Sequence, residues 1–239
     1  MNERTNICVV IPAYNEAKHI RSVVCSALKF VQTVVVVDDG SCDSTSEEAK
    51  FAGAIVIKHE RNKGKGVALA TGLKYAMDNG FDAVITMDAD GQHLPDEIPA
   101  FLEAYRCTGA HVIIGNRMNN PSSMPIVRRL TNRFMSWLLS RMMGQNVPDT
   151  QCGFRLFVRE TIPVVLQVEA PRFSAESEVL LRLAYNGFCF ASVPISVIYG
   201  DERSKIRPFA DTIRFFKMLL RMRRQRQECL KLAKEKKNI

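Results

Sequence analysis

Two aspartates one residue apart, Asp88 and Asp90, end a run of apolar, strand-like residues in AVITMDADGQH (83–93). Leaving both buried and unpaired would cost several kcal/mol. A solvated turn, an acid/base pair or a bound cation would each account for them. Mg²⁺ takes oxygen ligands and commonly uses one or two protein carboxylates together with substrate phosphates. Asp88 and Asp90, flanking the small Ala89, can present carboxylates to such an ion, and Gln92 adds an amide oxygen. A D-x-D pair alone does not decide between a metal site and a polar turn.

Two further segments carry polar groups that suit a phosphorylated ligand. In VVVVDDGS, Asp38 and Asp39 stand where a doubly wound sheet meets a nucleotide, and a carboxylate accepts from a base N–H or a ribose hydroxyl. The following GSCDST equally suits a cap on the next helix. RNKGKG (61–66) combines glycines, basic residues and a helix start, so its backbone N–H groups can approach phosphate oxygens. Its spacing is neither that of an NTPase loop nor that of a dinucleotide fingerprint. His19, His59, His93 and His111 show no metal-ligand spacing, and only His93 falls near these segments, where a solvated role is expected.

These residues are positioned by an alternating pattern. ICVVI (7–11), TVVVV (33–37), AIVI (54–57), AVITM (83–87) and AHVIIG (110–115) are short β-branched runs of the kind found in buried parallel strands. Helical patterns fall near 16–30, 44–52, 65–79 and 95–106. The alternation predicts an α/β doubly wound, mostly parallel sheet with ligands beyond the carboxyl ends of its strands. PAYNE, DDGS, HERNKGKG, DADGQH and NR follow the five strands in turn, and five polar strand ends on one edge point to a site. A response-regulator receiver domain also places acids at strand ends. It places its acid pair after the first strand, where this chain has PAYNE, and it is far shorter.

Farther along, 124–144 reads as an amphipathic helix with four arginines. VPDTQCGFRLFVRE reads as a loop entering a short strand, and 174–187 as a helix opening with Ser and two glutamates. The uncharged run 183–200 is interrupted by Asn186, Gly187 and Pro194, so a helix end, a turn and paired strands are expected rather than a membrane span. Neither a signal peptide nor a membrane anchor is legible at the amino end. The chain has 239 residues and seven scattered cysteines without a CxxC pair, which fits a reducing cytoplasm better than a disulfide framework. Its net charge of +8 is carried by residues 206–239, which hold 11 basic and 3 acidic side chains.

Taken in order, VVIPAYNEAKHI, VVVVDDGSCDST, RNKGKGVALATGLKYA, MDADGQHLPDEI, IIGNR, DTQCGFRLF, FSAESEVLLRLAYNGF and SKIRPFADTIRFF resemble the motifs of family 2 glycosyltransferases with the GT-A fold. The resemblance spans residues 7 to about 220 and is strongest to the dolichyl- and polyprenyl-phosphate mannose and glucose synthases. It implies a GT-A domain over 1–205 and an inverting transfer of one sugar from a nucleotide sugar to a polyprenyl phosphate. It further implies that Pro12, Tyr14, Glu16, Asp38 and Asp39 hold base and ribose and that Lys65 lies near the nucleotide. Asp88, Asp90 and Gln92 would bind Mg²⁺ or Mn²⁺. Arg117, with Arg128 or Arg129, would bind the acceptor's phosphate. Arg155, within DTQCGFRLF, would lie on the acceptor side, and Ser204 and Lys205 would close over the site.

Two departures matter. No hydrophobic anchor helices follow the domain, and AESEV lacks the Glu-Asp pair from which hydroxyl-glycosylating members take their base. A phosphate acceptor is largely dianionic near neutral pH and needs no base. A hydroxyl acceptor on a glycan or glycolipid would need one, and Glu176 and Glu178 are the candidates. On a helix in 206–239, Phe209, Ile213, Phe216 and Leu220 form one stripe and Arg214, Lys217, Arg221 and Arg224 another, as in an interfacial helix on an anionic membrane. Packing of that helix on its own domain and a basic tail that binds nucleic acid are the competing readings. The inner face of the cytoplasmic membrane is the expected location, with no nucleic-acid partner.

Overall fold

The computed structural model describes residues 5–119, 124–168, 173–196 and 214–226. Ser204 and Lys205, and the stripe residues Phe209 and Ile213, lie outside the described residues.

The β-branched runs become strands β1 (Ile7–Ala13), β2 (Thr33–Asp38), β3 (Ile55–Lys58), β4 (Ala83–Thr86) and β5 (Val112–Asn116). β2 and β5 are buried along nearly their whole length, as a strand covered on both faces requires. Two further strands, β6 (Arg155–Val158) and β7 (Phe190–Pro194), complete one sheet in the order β3-β2-β1-β4-β6-β5-β7. Every pairing is parallel except the two made by β6, which runs against both β4 and β5. From 183–200 the described part contributes β7, which joins β5 rather than a hairpin of its own.

Strands β1 to β3 step outward through α1 (Ile20–Ala27) and α2 (Thr45–Phe51), which pack on each other. The chain then returns through α3 (Lys65–Asp78) to place β4 on the other side of β1. Because such crossovers are right-handed, this reversal sends α3 to the opposite face and opens a crevice between the ends of β1 and β4. On that face α3 meets α6 (Ile162–Val165), which packs on α7 (Phe173–Tyr185), which in turn packs on α5 (Ile126–Met143). α4 (Ile98–Thr108) covers β5, β6 and β7. Close approach of α3 depends on Gly72, where a Cβ would stand 2.3 Å from Val10 Cγ1.

Residues 214–226 form a helix, α8. Its Phe215, Met218, Leu219 and Met222 are buried, a stripe different from the one expected to face lipid, while Phe216 and Leu220 are exposed. Arg221 Nη2 donates to Glu178 Oε2 of α7 at 2.5 Å, and Arg226 Nη1 donates to the Met142 carbonyl of α5. The reading of a helix packed on its own domain thus holds for the inner stripe, while the outer stripe is exposed.

Candidate active site

The crevice is built from the strand ends. β1 leads into a turn at Asn15 with φ +56, whose N–H donates to Ser41 Oγ and whose Oδ1 accepts from the Cys42 N–H. The Glu16 N–H donates to Thr45 Oγ1. The loops after β1 and β2 are therefore fastened to each other. Pro12 is buried within β1, Glu16 is half-buried, and Tyr14 is exposed at the rim.

Asp38 and Asp39 correct an expectation. Neither offers an open carboxylate, for both are buried and bonded to protein donors. Asp38 accepts from the Ser41 N–H and the Ser46 hydroxyl, with Lys58 Nζ 3.5 Å away. Burial works to raise its pKa, but these donors outweigh it and lower the value. Asp39 Oδ1 accepts from the Lys63 N–H and lies 2.7 Å from His59 Nδ1, and its Oδ2 accepts from the Gly64 N–H. The RNKGKG amides expected to reach a phosphate are in part turned onto Asp39 instead. Their bonds fix the start of α3, and with it Lys65.

Lys65 stands in the mouth of the crevice, 2.6 Å from Asp88 Oδ1 and 3.6 Å from Glu176 Oε1. Burial alone would push the Asp88 carboxyl up, yet the Lys65 ammonium, assisted by Arg117, holds it at about 2. For Lys65 the order is the same: burial opposes the charge, and the surrounding carboxylates prevail and raise its pKa. Solvent still reaches Lys65, whose side chain is 45% exposed, so the pairing is screened. Asp90 Oδ1 accepts from the Gln92 N–H across the turn at Gly91. Among the described residues no three His, Cys, Asp or Glu side chains converge as a complete metal cage. Asp88, Asp90 and the Gln92 amide oxygen are hard donors at one strand end, a partial set that fits Mg²⁺ or Mn²⁺ shared with phosphate oxygens and water.

His93 is buried against Phe154, ring centroids 5.3 Å apart, and its Nδ1 accepts from the Asp88 N–H at 3.1 Å. It is a structural acceptor and not the solvated side chain expected. Burial, reinforced by the charges of Lys65 and Arg117 and opposed by Asp88, pushes its pKa down to about 4. The unfolded chain therefore takes up this proton first, so its contribution to stability declines as pH falls from about 6.5 to about 4. His93→Asn, whose Oδ1 can replace Nδ1 as acceptor, should flatten that part of the pH–stability profile measured by denaturant unfolding.

The reversed strand β6 brings the DTQCGF loop to the same edge. Thr86 Oγ1 of β4 donates to the Gly153 carbonyl, and a Cβ at Gly153 would lie 3.4 Å from Lys65 Nζ and 3.5 Å from Asp88 Oδ1. Within this loop Asp149, which had not been singled out, grips Arg117. Nε donates to Oδ2 at 2.6 Å, Nη2 to Oδ1 at 2.8 Å, and the Arg117 backbone N–H to Oδ2 at 3.1 Å. Arg117 is thus a buried positive wall, not the open fork expected for an acceptor's phosphate. Arg155 is likewise spent inside the protein, donating to the carbonyls of Cys152, Thr150 and Glu176. It holds the loop in shape.

The two glutamates separate. Glu176 faces the cluster through Lys65 and Arg155 Nη2, the latter 3.9 Å away. Glu178 is fully buried between Arg182 and Arg221, which removes it as a candidate base. Arg128 and Arg129 are half-buried near the start of α5. Asp149 and His59 were missed because each acts through a partner distant in sequence, and only their position within strand-end motifs hinted at them.

Comparison with known proteins identifies the family. A sequence profile described as "Glycosyl transferase family 2" matches residues 8–164. A UDP-N-acetylglucosamine–dolichyl-phosphate N-acetylglucosaminyltransferase of Methanococcus voltae is 35% identical over 217 residues, covering 82% of this chain and 86% of the relative. A dolichyl-phosphate hexose transferase of Haloferax volcanii is 34% identical over 208 residues, covering 86% and 88%. The crystal structure of glucosyl-3-phosphoglycerate synthase from Mycobacterium tuberculosis in complex with uridine diphosphate superimposes with a TM-score of 0.74. At 24% identity, that match covers 92% of this chain and 80% of the other and establishes a shared GT-A fold. The chain is a glycosyltransferase and belongs to glycosyl transferase family 2.

Proposed function

We propose that the enzyme transfers one sugar from a nucleotide sugar, of the UDP-glucose or GDP-mannose type, to a polyprenyl phosphate at the cytoplasmic face of the membrane. The observation that carries this reading is the division of charge around the crevice. Carboxylates at the end of β4 suit a cation and a diphosphate, and the buried Arg117 stands close enough to act on Asp88. α5 with its Arg128 and Arg129 is fastened through Ser136 to the loop that holds Arg117, and the remaining candidate base, Glu176, is already paired with Lys65 and Arg155. An acceptor that arrives as a dianion needs no proton removed. The names of the relatives from Methanococcus voltae and Haloferax volcanii, both dolichyl-phosphate transferases, support the same acceptor class.

In this reaction an oxygen of the acceptor phosphate forms a bond to C1 as the C1–oxygen bond to the nucleoside diphosphate breaks, with inversion at C1. Asp88, Asp90 and Gln92 would hold Mg²⁺ or Mn²⁺, which supplies neutralisation of the charge gathering on the leaving diphosphate. Lys65 adds a positive charge beside the same carboxylates. Tyr14 and Glu16 border the nucleoside side, where Asp38 and Asp39 shape the loops. Arg129 and Arg128 attract the acceptor phosphate, and the buried charge of Arg117 strengthens the field behind them.

The membrane contact we assign to the outer face of α5 together with α8. Ile126, Val127, Leu130, Phe134 and Trp137 are each more than half exposed and lie along one side of α5. No Asp or Glu occurs between Glu103 and Asp149, while Arg128, Arg133 and Arg141 accompany the apolar strip. A groove of about 590 Å³ beside Trp137 is lined in part by Arg133 and Arg141. On α8, Phe216 and Leu220 are exposed beside Lys217 and Arg224. Among the described residues no helix is long and apolar enough to cross a membrane, so this face would lie on the surface. Phe134→Ser combined with Trp137→Ser should strongly reduce co-sedimentation with phosphatidylglycerol-containing vesicles. Binding equal to that of the unsubstituted enzyme would refute this assignment.

The reaction itself is tested by supplying a short polyprenyl phosphate, Mg²⁺ or Mn²⁺ and a labelled panel of UDP- and GDP-sugars, with and without chelator. Metal-dependent label in the organic phase from one donor is the expected result. Transfer only to soluble glycans would replace the phosphate acceptor by a hydroxyl, with Glu176 as the base.

A further inference from the structure

The inner stripe of α5 changes character along its length. Its buried residues are Asn132, Ser136, Leu139 and Met143, apolar toward the carboxyl end and polar toward the amino end. Leu139 and Met143 belong to the hydrophobic core. One turn earlier Ser136 Oγ bonds Thr150, accepting from its N–H at 2.9 Å and lying 3.0 Å from its Oγ1. Thr150 adjoins Asp149, the partner of Arg117, so this stretch of the stripe faces the loop that floors the acceptor side. A further turn toward the amino end lies Asn132, 7% exposed.

Two donors there are buried and lack a hydrogen-bond partner: Asn132 Nδ2 and Arg129 Nε. Their side chains are three positions apart and so project from neighbouring points of the helix surface. A buried donor left unmade costs about 1–3 kcal/mol, more when charged, and native proteins rarely tolerate it without a reason. Two such donors side by side, one cationic, call for an acceptor-rich anion. An ordered water accepts as well, but it would not explain why a guanidinium stands next to an amide one turn beyond the bond that ties α5 to the Asp149 loop.

We infer that Asn132 is a binding residue for the acceptor's phosphate, its side-chain amide N–H joining Arg129 Nε on the phosphate oxygens. This rests on the phosphate-acceptor reading above and deepens it. The amide supplies a directed neutral donor beside the arginine, so the phosphate is fixed in orientation as well as attracted. Part of the stability of the empty enzyme is given up to keep these donors unpaired until the phosphate arrives.

Asn132→Leu separates a binding role from a structural one, because the two predict opposite signs. An apolar side chain of similar size removes a buried, unsatisfied donor, so the melting temperature of the ligand-free enzyme should rise or stay unchanged. The KM for a short-chain polyprenyl phosphate should increase by about tenfold or more, the loss expected for one hydrogen bond to a charged group, while the KM for the nucleotide sugar is unaltered. Asn132→Asp, which turns a carboxylate on the phosphate, should raise the acceptor KM further still. Titration of the same prenyl phosphate into the protein without donor, followed by ³¹P NMR, should show the same ranking. A lower melting temperature with both KM values disturbed would make Asn132 a structural residue and overturn the proposal, as would an unchanged acceptor KM in Asn132→Leu. If the unsubstituted enzyme transfers no sugar to prenyl phosphate and the prenyl phosphate produces no ³¹P shift, both the acceptor class and this inference fail. Transfer by the unsubstituted enzyme with an indifferent Asn132→Leu overturns the inference alone.

Discussion

Asp90→Ala should lower sugar transfer by about a thousandfold at saturating substrates, a loss of several kcal/mol of transition-state stabilisation. Three features place the effect on the rate rather than on binding. Asp90 accepts from the Gln92 N–H, and its charge acts on the Lys65 ammonium, which places it beside the same charged cluster as Asp88. Its carboxylate is one of the two at the end of β4 that can hold a cation, and the described residues provide no third acid to replace it. The charge it controls grows on the leaving diphosphate as the C1–oxygen bond breaks, so the interaction is stronger in the transition state than in the bound donor. Steady-state rates with the labelled donor, set against nucleotide binding measured by calorimetry, should therefore show kcat falling far more than nucleotide affinity. A variant retaining more than a tenth of the activity would show that the β4 carboxylates do not carry the cation.

The second large effect concerns stability. Asp149→Ala leaves the Arg117 guanidinium buried without its carboxylate. Breaking one side of a buried pair costs about 3–5 kcal/mol because the surviving charge is uncompensated. In a chain of this size that corresponds to a fall in melting temperature on the order of 10 °C. The loss should be partly restored by Arg117→Met in the same chain, since an apolar replacement of both partners removes the stranded charge. Thermal melts of the two single variants and the double variant measure the coupling. If the double variant is as unstable as the sum of the singles, the pair does not act as a unit.

The first five strands were legible because each is a short β-branched run closed by polar residues, a pattern that burial on both faces imposes. The direction of β6 was not, since RLFV reads the same whichever way it runs. Only its pairing with both β4 and β5 reveals that the DTQCGF loop reaches the edge that holds Lys65 and Asp88. At the site, the carboxylates of DADGQH were visible as a pair, but their company was not. Asp149 and Arg117 are separated by 32 positions, and nothing local marks either as the other's partner. Asp38 and Asp39 looked like open ligands because sequence shows that a side chain is polar without showing that its hydrogen bonds are already made. The same blindness hid Asn132, which is notable for bonds it does not make. In α8 both Phe216/Leu220 and Phe215/Met218/Leu219/Met222 have helical spacing, so only packing could decide which stripe turns inward.

The reversal of β6 also dictates an order of assembly as the chain leaves the ribosome. β2, β3 and β4 can each pair as they emerge, for each has a neighbour already made. β5, arriving next, has none, because its place in the sheet is separated from β4 by a strand that has not yet been synthesised. It must wait until residues 155–158 appear and bond to both at once. Until then β4 keeps an open edge and β5 is an unpaired apolar segment, the condition in which nascent chains are most prone to aggregate. Chains ending before β6 would therefore carry the β3-β2-β1-β4 half of the sheet with an unprotected edge, and the β6-β5-β7 half would be joined to it in a single late step.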